Sequence, residues 1–118
     1  MFRRLLNWLL ARIAPPGGPL PLVQRSPKWP ALRAAHLARF PACAVCGSRV
    51  NVVPHHVAPV HVTPAAECDP DNLLSLCENP ARNCHLIFGH LLLWSSYNPM
   101  VVWDAATWRE KIKGRTKG

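Results

Sequence analysis

Prolines fall so often along this chain, thirteen in 118 residues, that they argue against long uninterrupted helices and against a large regular sheet. The length suits one ordinary domain with irregular stretches. About half of the residues are apolar, enough for a core, but a chain this short gains little margin from burial alone and needs a staple. No apolar run is long enough to span a membrane.

Five cysteines offer the staple. Cys43 and Cys46 stand two residues apart before Gly47, a glycine suited to the positive φ of a tight turn, and that knuckle spacing suits a metal. Cys68, Cys77 and Cys84 share a segment rich in His and Asn. This pattern favours metal over disulfides and, with it, a reducing compartment such as the cytoplasm. Cys43, Cys46, Cys77 and Cys84 together are read as a tetrahedral structural Zn²⁺ site with no open position, the second pair separated by a loop that must bulge. Cys68 is left as a bystander.

Charge narrows the partners. Fourteen Lys and Arg against six acids give a formal charge of +8, a field that attracts polyanions, and nucleic acid leads among them. Arg33, Arg39, Arg49 and Arg82 are candidate phosphate contacts, as is the basic run 109–118. The tryptophans Trp29, Trp94, Trp103 and Trp108 read as core residues rather than stacking platforms.

Along the chain, residues 2–13 place Phe2, Leu5, Leu6, Leu9, Leu10 and Ile13 on one face of an amphipathic helix. Asn7 and Arg12 break its apolar run, and Ala14-Pro15-Pro16 makes a poor cleavage site, so it is not read as a signal peptide. Packing on its own domain is the preferred role; contact of residues 1–14 with an anionic membrane is the lesser alternative. A Pro- and Gly-rich linker closes this unit, giving a division into 1–25, a central domain 26–108 and a basic tail 109–118. Within the central domain we expect a helix over 30–39, a strand over 49–57, a loop, a short strand over 71–76 and a helix over 84–95. A last short helix leads into the tail.

His55 and His56 end the first strand, where neighbouring side chains point to opposite faces. One can ligate a metal while the other stands beside it as a base. His85 opens the last helix of the domain, directly after Cys84. Of the six histidines, His36 and His61 are taken as ordinary surface residues.

The run Val53-Pro54-His55-His56-Val57, then Asp71-Asn72-Leu73-Leu74-Ser75-Leu76-Cys77, then Asn83-Cys84-His85, with Cys43-x2-Cys46 ahead of it, resembles the zinc-bound subset of the HNH endonucleases. The likeness covers roughly residues 43–95, about half of the chain. It implies an α+β fold with a ββα-metal (His-Me finger) core around one catalytic divalent ion, beside the zinc knuckle. By position, His56 matches the general base, His55 and His85 match metal ligands, and Asn72 matches the Asn that braces the loop carrying the base. A further helix ligand commonly follows four residues on, but that position here is Gly89. His90 lies about 140° around an ideal helix from His85 and can join the ion only if the helix is distorted.

The implied activity is metal-dependent hydrolysis of DNA phosphodiester bonds, nicking or double-strand, with low sequence specificity and no small-molecule cofactor. Mg²⁺ is the default ion by availability, while imidazole ligands suit Mn²⁺, Ni²⁺ or Zn²⁺ better. A bacterial or phage origin is a family-level expectation. The alternative is a non-catalytic zinc module that binds nucleic acid or a protein partner.

Overall fold

The computed structural model describes residues 25–116. The expected N-terminal helix, the linker after it and the last two residues lie outside the described residues. Among the described residues the architecture is α+β: two α-helices, a two-stranded antiparallel sheet and a cluster of four cysteines. Among the described residues no helix is long and apolar enough to cross a membrane.

Helix α1, Trp29–Arg39, starts with Pro30 in its first turn, where a missing N–H costs nothing. Its C-terminus is closed by the Phe40 amide donating to the His36 carbonyl at 2.7 Å, and Pro41 follows. No α1 residue is fully buried, and polar contacts help to dock it. The His36 Nε2–H donates to Ser75 Oγ at 3.0 Å, and Ser75 Oγ donates to the Phe40 carbonyl at 2.7 Å. His36 is therefore a tie between helix and sheet and not a surface bystander.

Strand β1, Val52–His56, pairs with β2, Leu73–Cys77, so that Val52 faces Cys77, His55 faces Leu74 and His56 faces Leu73. Both strands are shorter than their apolar pattern suggests. Asn51, with φ 50°, turns the chain out of extended geometry before β1. Pro54 lacks an N–H but is tolerated because each strand of this sheet is an edge. Asp71 and Asn72, expected to begin β2, belong instead to a 3₁₀ turn, Pro70–Asn72, in which the Asp69 carboxylate accepts from the Asp71 amide at 2.9 Å.

The expected helix over 84–95 is replaced by one π-helical turn, His85–Gly89. Leu91 and Leu92 follow with φ 54° and 70°, a left-handed pair that ends any helix. Buried Asn98 takes up the freed backbone: its amide donates to the Gly89 carbonyl at 3.0 Å, and its Nδ2 donates to the Phe88 carbonyl at 3.0 Å and to Asp104 Oδ2 at 2.7 Å. Asn98 thereby joins the π turn to helix α2, Val101–Thr116, which begins just after Pro99. The basic segment expected as a tail is helical as far as Thr116.

The core forms where knuckle, β2, π turn and α2 meet. Leu76, Val45, Val101 and Cys77 are its most deeply buried side chains, joined by Cys43, Cys84 and Ala105. Three of these seven residues carry sulfur, so the centre of the fold is as much a thiol cluster as an apolar core.

Candidate metal centres

The cysteine centre is assembled by backbone. The Gly47 amide donates to the Cys43 carbonyl at 2.9 Å, closing the knuckle with Gly47 at φ 77°, and the Ala44 amide donates to the Ser75 carbonyl at 2.8 Å, pinning it to β2. Cys77 ends β2 and Cys84 precedes the π turn. Between them the chain folds back on Asn79, whose carbonyl accepts from the Arg82 and Asn83 amides at 2.9 and 2.7 Å. This is the bulge that the spacing requires.

The four Sγ atoms lie within 4.8 Å of one another, and Cys46 and Cys77 are 3.7 Å apart. Four sulfurs about 2.3 Å from a tetrahedral ion would stand roughly 3.8 Å from one another. A hydrogen bond from Cys84 pulls the Cys43 thiol down to about 4, while that same bond and burial push Cys84 up. Burial likewise raises Cys46. Four cysteines in so buried a place could all ionise only with a cation among them, and the cluster could hold a metal ion such as zinc. Cys68 stands outside it, and all five cysteines are free thiols.

The second cluster is built from imidazole. His55, His85 and His90 each offer a nitrogen within 4.8 Å of the others. His85 Nε2 lies 3.1 Å from His55 Nδ1 and 3.2 Å from His90 Nε2. The edges of a coordination shell with bonds of about 2.1 Å run from roughly 3.0 Å when octahedral to roughly 3.4 Å when tetrahedral. Burial first, then the nearby His85, His90 and His56, push His55 down to about 3. Burial also lowers His85 and His90, so the rings are neutral near pH 7 and carry lone pairs.

The ring protons leave room for an ion. His90 Nδ1–H donates to the Ser96 carbonyl at 2.7 Å, which makes His90 Nε2 the bare nitrogen, and Ser96 Oγ donates back to the His90 carbonyl. His55, 2 % exposed, keeps Nδ1 on the cluster while its Nε2 is buried with no hydrogen-bond partner. The donor set fits a divalent ion.

How His90 arrives there corrects the helical geometry. An α-helix would carry it to another face, but a π turn, with i→i+5 bonding, brings the fifth residue back above the first. Gly89 holds the four-on position because a Cβ there would stand 3.0 Å from the His55 ring. The glycine is a clearance for one ligand, and the turn delivers the next residue as another.

His56 lies beside this cluster and is fixed from two sides. Its Nε2–H donates to the Glu67 carbonyl at 3.0 Å, leaving Nδ1 bare, and its ring sits 4.6 Å from that of Trp29. Burial lowers its pKa, partly offset by that carbonyl. The Glu67 carboxylate is itself buried and held by Arg25 Nε at 2.6 Å and the Ser26 amide at 2.9 Å. Asn72 braces the loop after His56: its Oδ1 accepts from the Ala58 amide at 2.8 Å, and its Nδ2 donates to the carbonyls of Ala58 and Ala66 at 3.0 and 3.1 Å. Its side chain makes no hydrogen bond to the three rings.

His55, His56, His85 and His90 line one open cleft of about 560 Å³. Arg25, Arg33, His61, Glu78, Trp29 and Trp94 line it too. Of the arginines singled out from sequence only Arg33 reaches the cleft, while Arg39 lies over Phe40. Within the helical end of the basic segment, Arg109 lies against Gly47 and Lys111 over Trp108. His61, taken as a surface residue, faces the cleft half-buried, and its pKa is lowered by burial and by His90. The tryptophan reading also fails: Trp94, Trp103 and Trp108 are exposed, and Trp29 is half-buried against His56. Arg25, Glu67 and Glu78 carry no spacing signal, since their partners are 42, 11 and 7 residues away.

No protein family, no characterised protein and no solved structure matches this chain.

Proposed function

We propose that the chain is a metal-dependent endonuclease that hydrolyses DNA phosphodiester bonds, with strands β1 and β2 and the π turn serving as a ββα-metal core of the HNH kind. One observation carries this reading. Consecutive residues of a strand, His55 and His56, place a ring of a three-imidazole cluster and a fourth imidazole, tied through Nε2 to the Glu67 carbonyl, on the wall of one cleft. The Glu67 carbonyl takes up only one of the two nitrogens of that fourth ring.

A phosphodiester resists hydrolysis because its anionic oxygens repel the nucleophile, so a base and positive charge are both needed. His56 Nδ1 accepts the proton of a water whose oxygen attacks phosphorus. The bond to the 3′ oxygen breaks, and that oxygen takes a proton from solvent. The Glu67 carbonyl keeps His56 in the tautomer that can accept, and Asn72 keeps the loop behind it closed. Arg25 and Arg33 on the cleft wall suit flanking phosphates, which position a duplex without reading its bases. His55, His85 and His90 would hold the divalent ion, which when bound supplies Lewis-acid charge against the phosphate and leaving oxygens.

The test is nicking of supercoiled plasmid by the purified chain with Mg²⁺, Mn²⁺, Ni²⁺ or Zn²⁺, next to His56→Ala. The variant should lose about 10²- to 10⁴-fold in rate, the usual share of a general base. A wild type inert with all four ions, or a variant equal to it, overturns the reading.

A further inference from the structure

Of the three clustered rings, His85 is the hub, since its Nε2 faces both His55 Nδ1 and His90 Nε2. A neutral imidazole holds one proton, and if His85 carried it on Nε2 that proton would occupy the space between the rings. What keeps it on Nδ1 is therefore what opens the cluster to an ion. The group facing His85 Nδ1 is the Glu78 carboxylate, with Oε2 at 3.4 Å. An ionised carboxylate only accepts. Glu78 is also the one acidic side chain on the wall of the cleft.

The backbone places this pair through the cysteine centre. Glu78 follows Cys77 and His85 follows Cys84, so closing the sulfur pair brings the carboxylate and the ring together one residue further along. The Glu78 amide donates to the Asn51 carbonyl at 2.7 Å, which anchors the acid at the end of β2. The side chain is 40 % exposed and remains at the cleft edge.

We propose that Glu78 is a positioning residue for the histidine centre, accepting the Nδ1 proton of His85 so that the Nε2 lone pair is committed to the cluster, and thereby setting how tightly that centre holds a divalent ion. The inference rests on the metal-binding reading of the three histidines but not on DNA cleavage. Outer partners of this kind are worth about 10- to 100-fold in metal affinity.

The experiment titrates the full chain with Zn²⁺ against a competing chelator and follows the imidazoles of the zinc-depleted histidine centre by long-range ¹H–¹⁵N spectroscopy. Glu78→Ala should leave the first, cysteine-bound equivalent unchanged, weaken the second about 10- to 100-fold, and let His85 populate the Nε2–H tautomer. Glu78→Gln keeps an acceptor oxygen and should restore the Nδ1–H tautomer with intermediate affinity. Should Glu78→Ala also lose the first equivalent, the Glu78→Gln tautomer decides. An unchanged second equivalent in Glu78→Ala, or a Gln variant whose His85 behaves as in Ala, overturns the proposal, as does a wild type that binds one ion only. Weakened affinity without nicking by any variant supports Glu78 and sinks the nuclease reading instead.

Discussion

The two clusters solve the same packing problem in opposite ways. In both, four or three ligand atoms lie within 4.8 Å of one another. The cysteine centre is enclosed, with Cys43, Cys77 and Cys84 buried in the core and backbone hydrogen bonds fixing the knuckle. The histidine centre has one buried member, His55, and opens through His85 and His90 onto a cleft. The first suits an ion that holds the chain together, the second an ion that meets a ligand. Enclosure, and not the number of donors, separates a staple from a workplace.

The sharpest way to break this contrast is to remove one sulfur. Cys77→Ser should abolish the cooperative thermal transition followed by circular dichroism, because the core is built around the thiols. A variant that still melts cooperatively with one fewer zinc would make the two centres equivalent. His56→Ala lies at the other pole and should cost activity while leaving both ions and a cooperative transition in place, the melting point falling only by what the Glu67 hydrogen bond and the Trp29 contact contribute.

A smaller effect is expected at Gly89. Gly89→Ala forces a Cβ to within 3.0 Å of the His55 ring and should cost about 1–3 kcal/mol of stability, with weaker binding of the second ion only. Equal loss of both ions, measured by elemental analysis after dialysis, would show that the centres are not independent. The smallest effect is on the cleft wall. Burial pushes the Glu67 carboxyl up, but the Ser26 amide and Arg25 outweigh it and hold the group below its ordinary 4.5. A depressed folded value stabilises the fold fully above pH 4.5 and loses that contribution as pH falls through the lower folded value. Urea unfolding of wild type and Glu67→Gln should therefore differ by about 1 kcal/mol at pH 6, the gap between a charged and a neutral acceptor, and converge as pH falls through the lowered folded value of the carboxyl. A constant difference would show that the carboxylate charge is not what Glu67 contributes.

Local chemistry made some of this legible in sequence. The cysteine spacing announced the sulfur cluster, and the valine run ending in two histidines announced β1, because knuckles and strands are written in short intervals. Long-range partners were silent. Nothing near Ser75 signals that His36 will tie α1 to it across 39 residues, and nothing in the apolar run after Cys84 signals that Leu91 and Leu92 turn left-handed. The tryptophans misled because size alone suggests burial, whereas this core is filled by small sulfur-bearing and aliphatic side chains.

The π turn changes how histidine spacing is to be counted. A pattern that demands two histidines four residues apart would pass over this chain, although its rings meet at 3.2 Å. Insertion of a single residue into one helical turn displaces a ligand along the text without displacing it in space. In this chain the glycine four places after the first histidine and the histidine at the fifth write that arrangement together, and it lasts only while the glycine's position stays small enough for the His55 ring that it faces.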